Sequence, residues 1–155
     1  MGGRYVLPIS GLTALTAVPF AQLATPATTG IVIIAIELGQ ETSETSQQEI
    51  LTLTRRSTAS TLPTSTTPLR LGSRTTASLL TGSTTTNATG IATGTGTLVD
   101  TIPLLPFNVL NGFAWYPLPE ARVHMAISEF LTLQFKTAPA ANTWSGFIFF
   151  EEENV

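Results

Sequence analysis

The chain has 155 residues, of which 43% are hydrophobic and only 11% charged, with a formal net charge of −3. Average globular chains carry roughly 25% charged residues, and phosphate binding needs clustered Lys and Arg, so an acidic chain whose only adjacent basic pair is Arg55-Arg56 argues against nucleic acid. The absence of cysteine removes disulfides, iron–sulfur clusters and thiolate zinc sites together.

The length fits one domain. With so little charge, threonine, serine, glycine and apolar groups must cover the surface, which suits a protein that buries surface against neighbours.

Residues 1–27 are apolar but punctuated by Pro8, Gly11, Pro19 and Pro26, with no helical period longer than a turn. They are expected to form an extended N-terminal arm with short strand pieces. Its side chains Tyr5, Val6, Leu7, Val18 and Phe20 are candidates for contact with a neighbouring subunit. On that reading, deleting residues 2–20 leaves the remaining fold intact. The alternative is an edge strand packed on its own domain, where proline is tolerated.

Residues 28–155 are expected to form a single β-sandwich domain. Residues 30–38 are the clearest strand, because four isoleucines and a valine are β-branched and no polar residue interrupts them before Glu37. That run also contains the longest apolar stretch, residues 31–36, far short of the roughly 20 residues of a membrane helix; no membrane partner is expected. Residues 39–48 are a polar, acidic loop. In residues 49–56, Leu51 and Leu53 alternate with Thr52 and Thr54, the period-2 mark of a half-buried strand.

From 57 to 97 more than a third of the positions are threonine and charge is limited to Arg70 and Arg74. Glycines at 72, 82, 90, 94 and 96 break any long element, so this is expected to be a long Thr-rich loop or insertion with one short strand at 68–71. Leu69, Leu71, Leu79 and Leu80 are its concentrated apolar residues and the second set of candidate interface contacts. Asn87-Ala88-Thr89 fits a glycosylation acceptor, a tripeptide common by chance.

Beyond Thr97, strands are expected at 97–102, ending at Pro103, and at 107–116 with a bulge at Asn111-Gly112. Further strands follow at 123–127, 131–136 and 143–152. Seven or eight strands at this spacing, without helical periodicity, predict an all-β protein: an antiparallel, jelly-roll-like β-sandwich.

Residues capable of catalysis are scarce: one histidine (His124), one aspartate (Asp100) and one lysine (Lys136). A Ser-His-Asp triad would have to combine Asp100 and His124 with one of many serines, and no G-x-S-x-G turn is present. His124 lacks the neighbouring ligands a metal site requires and reads as a surface or interface residue. Glu151-Glu152-Glu153 could serve as paired carboxylates or calcium ligands, but after the apolar run 147–150 it reads as a solubilising stop. Gly90, Gly94 and Gly96 open no helix and precede no G-K-[ST], so a phosphate loop has no support. Trp115 and Tyr116, beside Pro117 and Pro119, are either a stacking surface for carbohydrate or ordinary turn and core packing. No cofactor, no metal and no catalytic residue is expected.

Three C-terminal stretches carry a resemblance: 115–123 (Trp115 to Val123), 131–133 (Leu131-Thr132-Leu133) and 145–152 (Ser145 to Glu152). Over roughly the last 50 residues, by overall length and by lack of cysteine, the chain resembles small all-β virion proteins of tailed bacteriophages. These include the decoration, or cement, proteins of the capsid exterior; tail and fibre proteins share the pattern. The resemblance implies a non-enzymatic protein on the outer capsid that binds the major capsid protein and clamps neighbouring capsomers, often as a homotrimer. It supplies no catalytic residues. A carbohydrate-binding or receptor-binding β-sandwich is the alternative reading.

Overall fold

The computed structural model describes residues 3–13, 17–41, 46–72, 77–78, 80–84, 96–139 and 143–154. In chain order its strands are β1 (Arg4–Thr13), β2 (Ala21–Ala24), β3 (Thr29–Gln40), β4 (Gln48–Arg56), β5 (Thr64–Thr66) and β6 (Leu69–Arg70). They continue with β7 (Thr81–Thr84), β8 (Leu98–Asn108), β9 (Phe113–Trp115), β10 (His124–Met125), β11 (Phe130–Phe135) and β12 (Thr143–Asn154). The protein is an antiparallel β-sandwich. One sheet runs β10-β3-β12-β1-β6, with β9 also beside β3, and the other runs β5-β7-β2-β11-β4-β8. Among the described residues, no helix is long and apolar enough to cross a membrane.

The expected N-terminal arm is a strand of the sandwich. β1 pairs antiparallel with β12 from Arg4↔Glu151 to Thr13↔Thr143, which places Tyr5, Leu7, Ile9 and Leu12 in the core. Two features disguised it in the sequence. Gly11, at φ +60°, sits where the register shifts between Ile9 and Leu12, the signature of a bulge. Pro8 is tolerated because, among the described residues, β6 pairs with β1 only at Tyr5 and Val6, which leaves Pro8 without a ladder partner on that side. The domain therefore begins at β1 and not near residue 28.

A second bulge governs β3. Phe149 opposes Ala35 while Phe150 opposes Ile33, so Ile34 is an extra residue. Strict alternation from Ile31 and Ile33 would carry Glu37 into the core. The bulge resets the phase, so Ile36 and Leu38 point inward and Glu37 outward. Between the sheets, Phe20, Phe135, Trp144, Phe107 and Phe113 form a continuous run of rings with centroids 5.1 to 6.2 Å apart. Each fully buried side chain of this size contributes roughly 1.5–3 kcal/mol relative to exposure.

The Thr-rich segment is more than a loop, because it supplies three short strands. β6 lengthens one sheet, while β5 and β7 extend the other beside β2. Its ends lie over the outer face of the second sheet. Gln22 accepts from the Ser60 amide at 2.7 Å and donates to the Ser60 carbonyl at 3.4 Å. The Arg56 guanidinium donates to the Gly96 carbonyl, Thr132 Oγ1 and Gln134 Oε1. Outward-pointing Thr54 and Thr132, whose hydroxyls bond to each other, are consequently buried.

Two further strand expectations are corrected. β8 does not stop at Pro103; it runs through Pro103 and Pro106 to Asn108, with register shifts against β4, as the outermost strand of its sheet. The expected strand over 107–116 is divided by a one-turn 3-10 segment, Val109–Asn111, followed by Gly112 at φ +69°. There the chain crosses from one sheet to the other. A left-handed glycine provides the sharp reversal.

Candidate interaction surface

The two sheets place β8 and the β9–β10 side of the first sheet on the same side of the sandwich, joined directly by the 3-10 turn and by the Phe107–Phe113 ring contact. This side is where apolar groups reach solvent. Nine large hydrophobic residues are exposed among the described residues, and six belong to it: Leu98, Val99, Leu105, Leu110, Tyr116 and Leu118; Ile127 lies in the turn after β10, beside the end of β2. Scattered exposed leucines are ordinary in any protein. Six on one edge are not scattered. The signal in the sequence is the absence of any charged residue between Asp100 and Glu120.

The other two exposed residues, Leu69 in β6 and Leu71 just after it, lie at the opposite edge of the first sheet. These were expected as interface residues, and their side chains are available. The remaining expectations divide. Tyr5, Leu7, Phe20 and Leu80 are buried in the chain's own core and cannot meet a neighbour. Val6 and Val18 are half-buried. Leu79 lies outside the described residues.

On the outward face of the first sheet, cross-strand partners bring Val6 beside Phe149, and Pro8 beside Phe147, which in turn faces Glu37. A groove of about 350 Å³ opens where β3, β9 and β12 meet, lined by Glu37, Gly39, Asn111, Gly112, Ser145 and Gly146. Its glycines leave backbone exposed as the floor. Gly146 is obligatory there, because a Cβ would fall 2.0 Å from the Glu37 carbonyl oxygen.

The candidate catalytic residues are held in unrelated contacts. Asp100 receives Arg55 Nε at 2.9 Å on both carboxylate oxygens, across β4 and β8. The Arg55 guanidinium holds the Asp100 carboxyl below its ordinary range. His124 is exposed on β10, in the other sheet, with Nδ1 3.2 Å from Glu153 Oε2. The structure does not bring Asp100 and His124 together.

The acidic run 151–153 is not a solvated stop. β12 continues through it between β3 and β1, so its carboxylates alternate in role. Glu151 faces Arg4 at 3.5 Å, Glu152 is buried and accepts from the Ser78 hydroxyl, and Glu153 meets His124. Trp115 packs against the core, whereas Tyr116 is 62% exposed. No group of three or more potential metal-ligating side chains occurs among the described residues.

Comparison with protein-family models, with curated proteins and with solved structures finds no match in any of the three.

Proposed function

We propose that this chain is a non-enzymatic structural protein of a virion, a capsid decoration or cement protein that binds the major capsid protein on the capsid exterior and assembles as a homotrimer. One observation carries the reading: the concentration of exposed apolar side chains along the β8–β9 edge. A monomer gains nothing from six uncovered hydrophobic groups on one side, whereas a protein that acts by contact buries them. The low charge content supports the same reading, since interface cores are depleted in charge. Modest contacts suffice when they repeat around a shell, because linked contacts reinforce one another. Apart from β5–β7, with β9 and β10 sharing one position beside β3, the sheets offer four strand positions each. That arrangement supports the jelly-roll form of the sandwich.

The test is co-sedimentation of the purified chain with empty capsids assembled from the major capsid protein encoded in the same genome. Wild-type chain pellets with the capsids, and Leu105→Ser combined with Leu118→Ser abolishes pelleting while the circular dichroism of the fold persists. A folded wild-type chain that stays in the supernatant defeats the reading. The exposed Tyr116 favours a second reading, a tail or fibre module that stacks on carbohydrate. Glycan-array binding that Tyr116→Ala removes would select it.

A further inference from the structure

Three glycines line the groove where β3, β9 and β12 meet, and the backbone requires only two of them. Gly112 has φ +69°, and a Cβ on Gly146 would strike the Glu37 carbonyl. Gly39 is different. Its φ is not positive, and a Cβ there would meet nothing nearer than the Ser145 carbonyl oxygen at 4.0 Å, an ordinary contact. A glycine inside a strand weakens it and often marks a place where another group approaches closely. Gly39 lies opposite Ser145 on β12, one step along β3 from the inward Leu38, so its missing side chain leaves a notch on the outer face of the sheet.

The wall of that notch is an unpartnered carboxylate. Glu37 lies between its cross-strand neighbours Phe147 on β12 and Ala114 on β9. It is half-buried, with no ion pair or side-chain hydrogen bond among the described residues. Every other half-buried or buried carboxylate among them has a polar partner: Glu49 has Gln47, Asp100 has Arg55 and Glu129 has the Ala126 amide. Glu151 has Arg4, Glu152 has Ser78 and Glu153 has His124. Neither β9 nor β12 contains a lysine or arginine to answer Glu37. A second carboxylate, Glu41, is held at the same end by the Ser145 hydroxyl, which also accepts from the Gly11 amide at 3.1 Å. A carboxylate taken partly out of water is stabilised by a nearby cation, and an aromatic ring beside it adds to the attraction.

We infer that this groove receives one basic side chain, lysine or arginine, from the protein on which the chain docks. The cation meets Glu37, and its apolar stem passes Phe147 and Ala114, as long basic side chains do when they cross apolar surface. The notch is open, so it covers the end of one side chain, whereas sites for free small molecules enclose most of their ligand. It is also continuous with the exposed apolar edge: Tyr116 and Leu118, 62% and 73% exposed, follow Ala114 along the chain. A partner held by that edge lies across the groove, and the charged contact fixes its register. The inference deepens the function proposed above by naming a group that the partner must present; it rests on that reading only for the partner's identity.

The experiment is an NMR titration of the isotope-labelled full chain with N-acetyl-arginine methylamide and N-acetyl-lysine methylamide, with neutral N-acetyl-norleucine methylamide as control. The amides of Gly39, Gly112, Ser145 and Gly146 shift saturably with at least one cationic probe, at about 1–10 millimolar for a ligand this small, and not with norleucine. Glu37→Gln weakens binding by about tenfold or more, through loss of a charge-assisted hydrogen bond. Gly39→Val fills the notch and abolishes binding in a chain that circular dichroism shows to be folded. Where Gly39→Val fails to fold, Gly39→Ala replaces it and must weaken binding. No saturable shift with either cation overturns the proposal, as does equal binding of norleucine. So does unchanged binding by folded Glu37→Gln or Gly39→Val. Tighter binding of putrescine, a free diamine, than of both blocked residues assigns the groove to a small-molecule amine and overturns the docking role. A chain that binds the blocked residues but does not pellet with capsids counts against the cement reading alone.

Discussion

Gly146 on β12 lies so close to Glu37 on β3 that its hydrogen occupies space no side chain could share, since a Cβ there would fall 2.0 Å from the Glu37 carbonyl oxygen and 2.8 Å from Leu38 Cα. Both obstacles are backbone, which cannot rotate away. Gly146→Ala is therefore expected to destabilise the fold by about 1–3 kcal/mol through overpacking. Urea denaturation should show a lower midpoint at unchanged slope; an unchanged midpoint would mean that β12 and β3 can separate freely at this point.

Deletion of residues 2–20 should abolish folding, against the expectation drawn from the sequence. It removes all of β1, and with it Tyr5, Leu7, Ile9 and Leu12, together with Phe20 of the ring cluster. A milder test is Leu7→Ala, which should cost about 2–5 kcal/mol because Leu7 is fully buried. Circular dichroism and thermal melting read both. A cooperative melt of the deleted chain would restore the arm interpretation.

The Arg55–Asp100 pair should make a small contribution that is present from mildly acidic pH upward and lost in strong acid. Hydrogen bonding to Arg55 lowers the folded-state pKa of Asp100 below its ordinary 3.8. A lowered carboxylate pKa stabilises the fold above the unfolded value, and that stability disappears as pH falls through the folded value. Both side chains are more than a third exposed, 35% and 37%, so solvent screening limits the effect. Asp100→Asn should cost about 0.5–1 kcal/mol at neutral pH and nothing in strong acid. Thermal melts at the two pH values decide it; a loss of equal size at both would assign the effect to packing.

Glu49 should behave in the opposite way. It is buried at 1% exposure, and burial raises its pKa despite hydrogen bonds from Thr137 and Gln47. A raised carboxylate pKa favours the fold below the unfolded value, and that advantage is lost as pH rises through the folded value. Glu49→Gln should therefore raise the melting temperature relative to wild type more at neutral pH than in mild acid. A variant less stable than wild type at neutral pH would show that the ionised carboxylate is favoured there.

The reciprocal Gln22–Ser60 pair should hold the start of the Thr-rich segment against the second sheet. Gln22→Leu leaves the Ser60 amide without this acceptor and should cost about 1–3 kcal/mol. Limited proteolysis is the readout. Faster cleavage within 57–62 is expected, while an unchanged cleavage pattern would assign the anchoring to other contacts such as Arg56–Gly96.

The sandwich was legible wherever alternation and β-branching agreed, as at Leu51 and Leu53 or Leu131 and Leu133. It was illegible wherever a residue broke the pattern for a structural reason. Pro8 and Gly11 made β1 resemble an arm, though one lies on an edge and the other in a bulge. Pro103 appeared to end a strand that continues because its outer side is unpaired among the described residues. The outcome at the surface follows from the same limitation. Leu69 and Leu71 stood out because the residues around them are polar, but Leu105, Leu110 and Leu118 sit in an apolar run that resembles core. The pairing of β8 with β4 alone among the described residues reveals that the run forms an outside edge.

Pro103 and Pro106 interrupt the row of amide donors that β8 would otherwise offer to a passing strand. The stickiest side of the molecule is thus poorly suited to templated growth, in which any extended peptide adds to a sheet by main-chain bonds regardless of sequence. What can dock there must fit its leucines and tyrosine one by one. The edge thereby stays receptive to a shaped partner while resisting fibril formation.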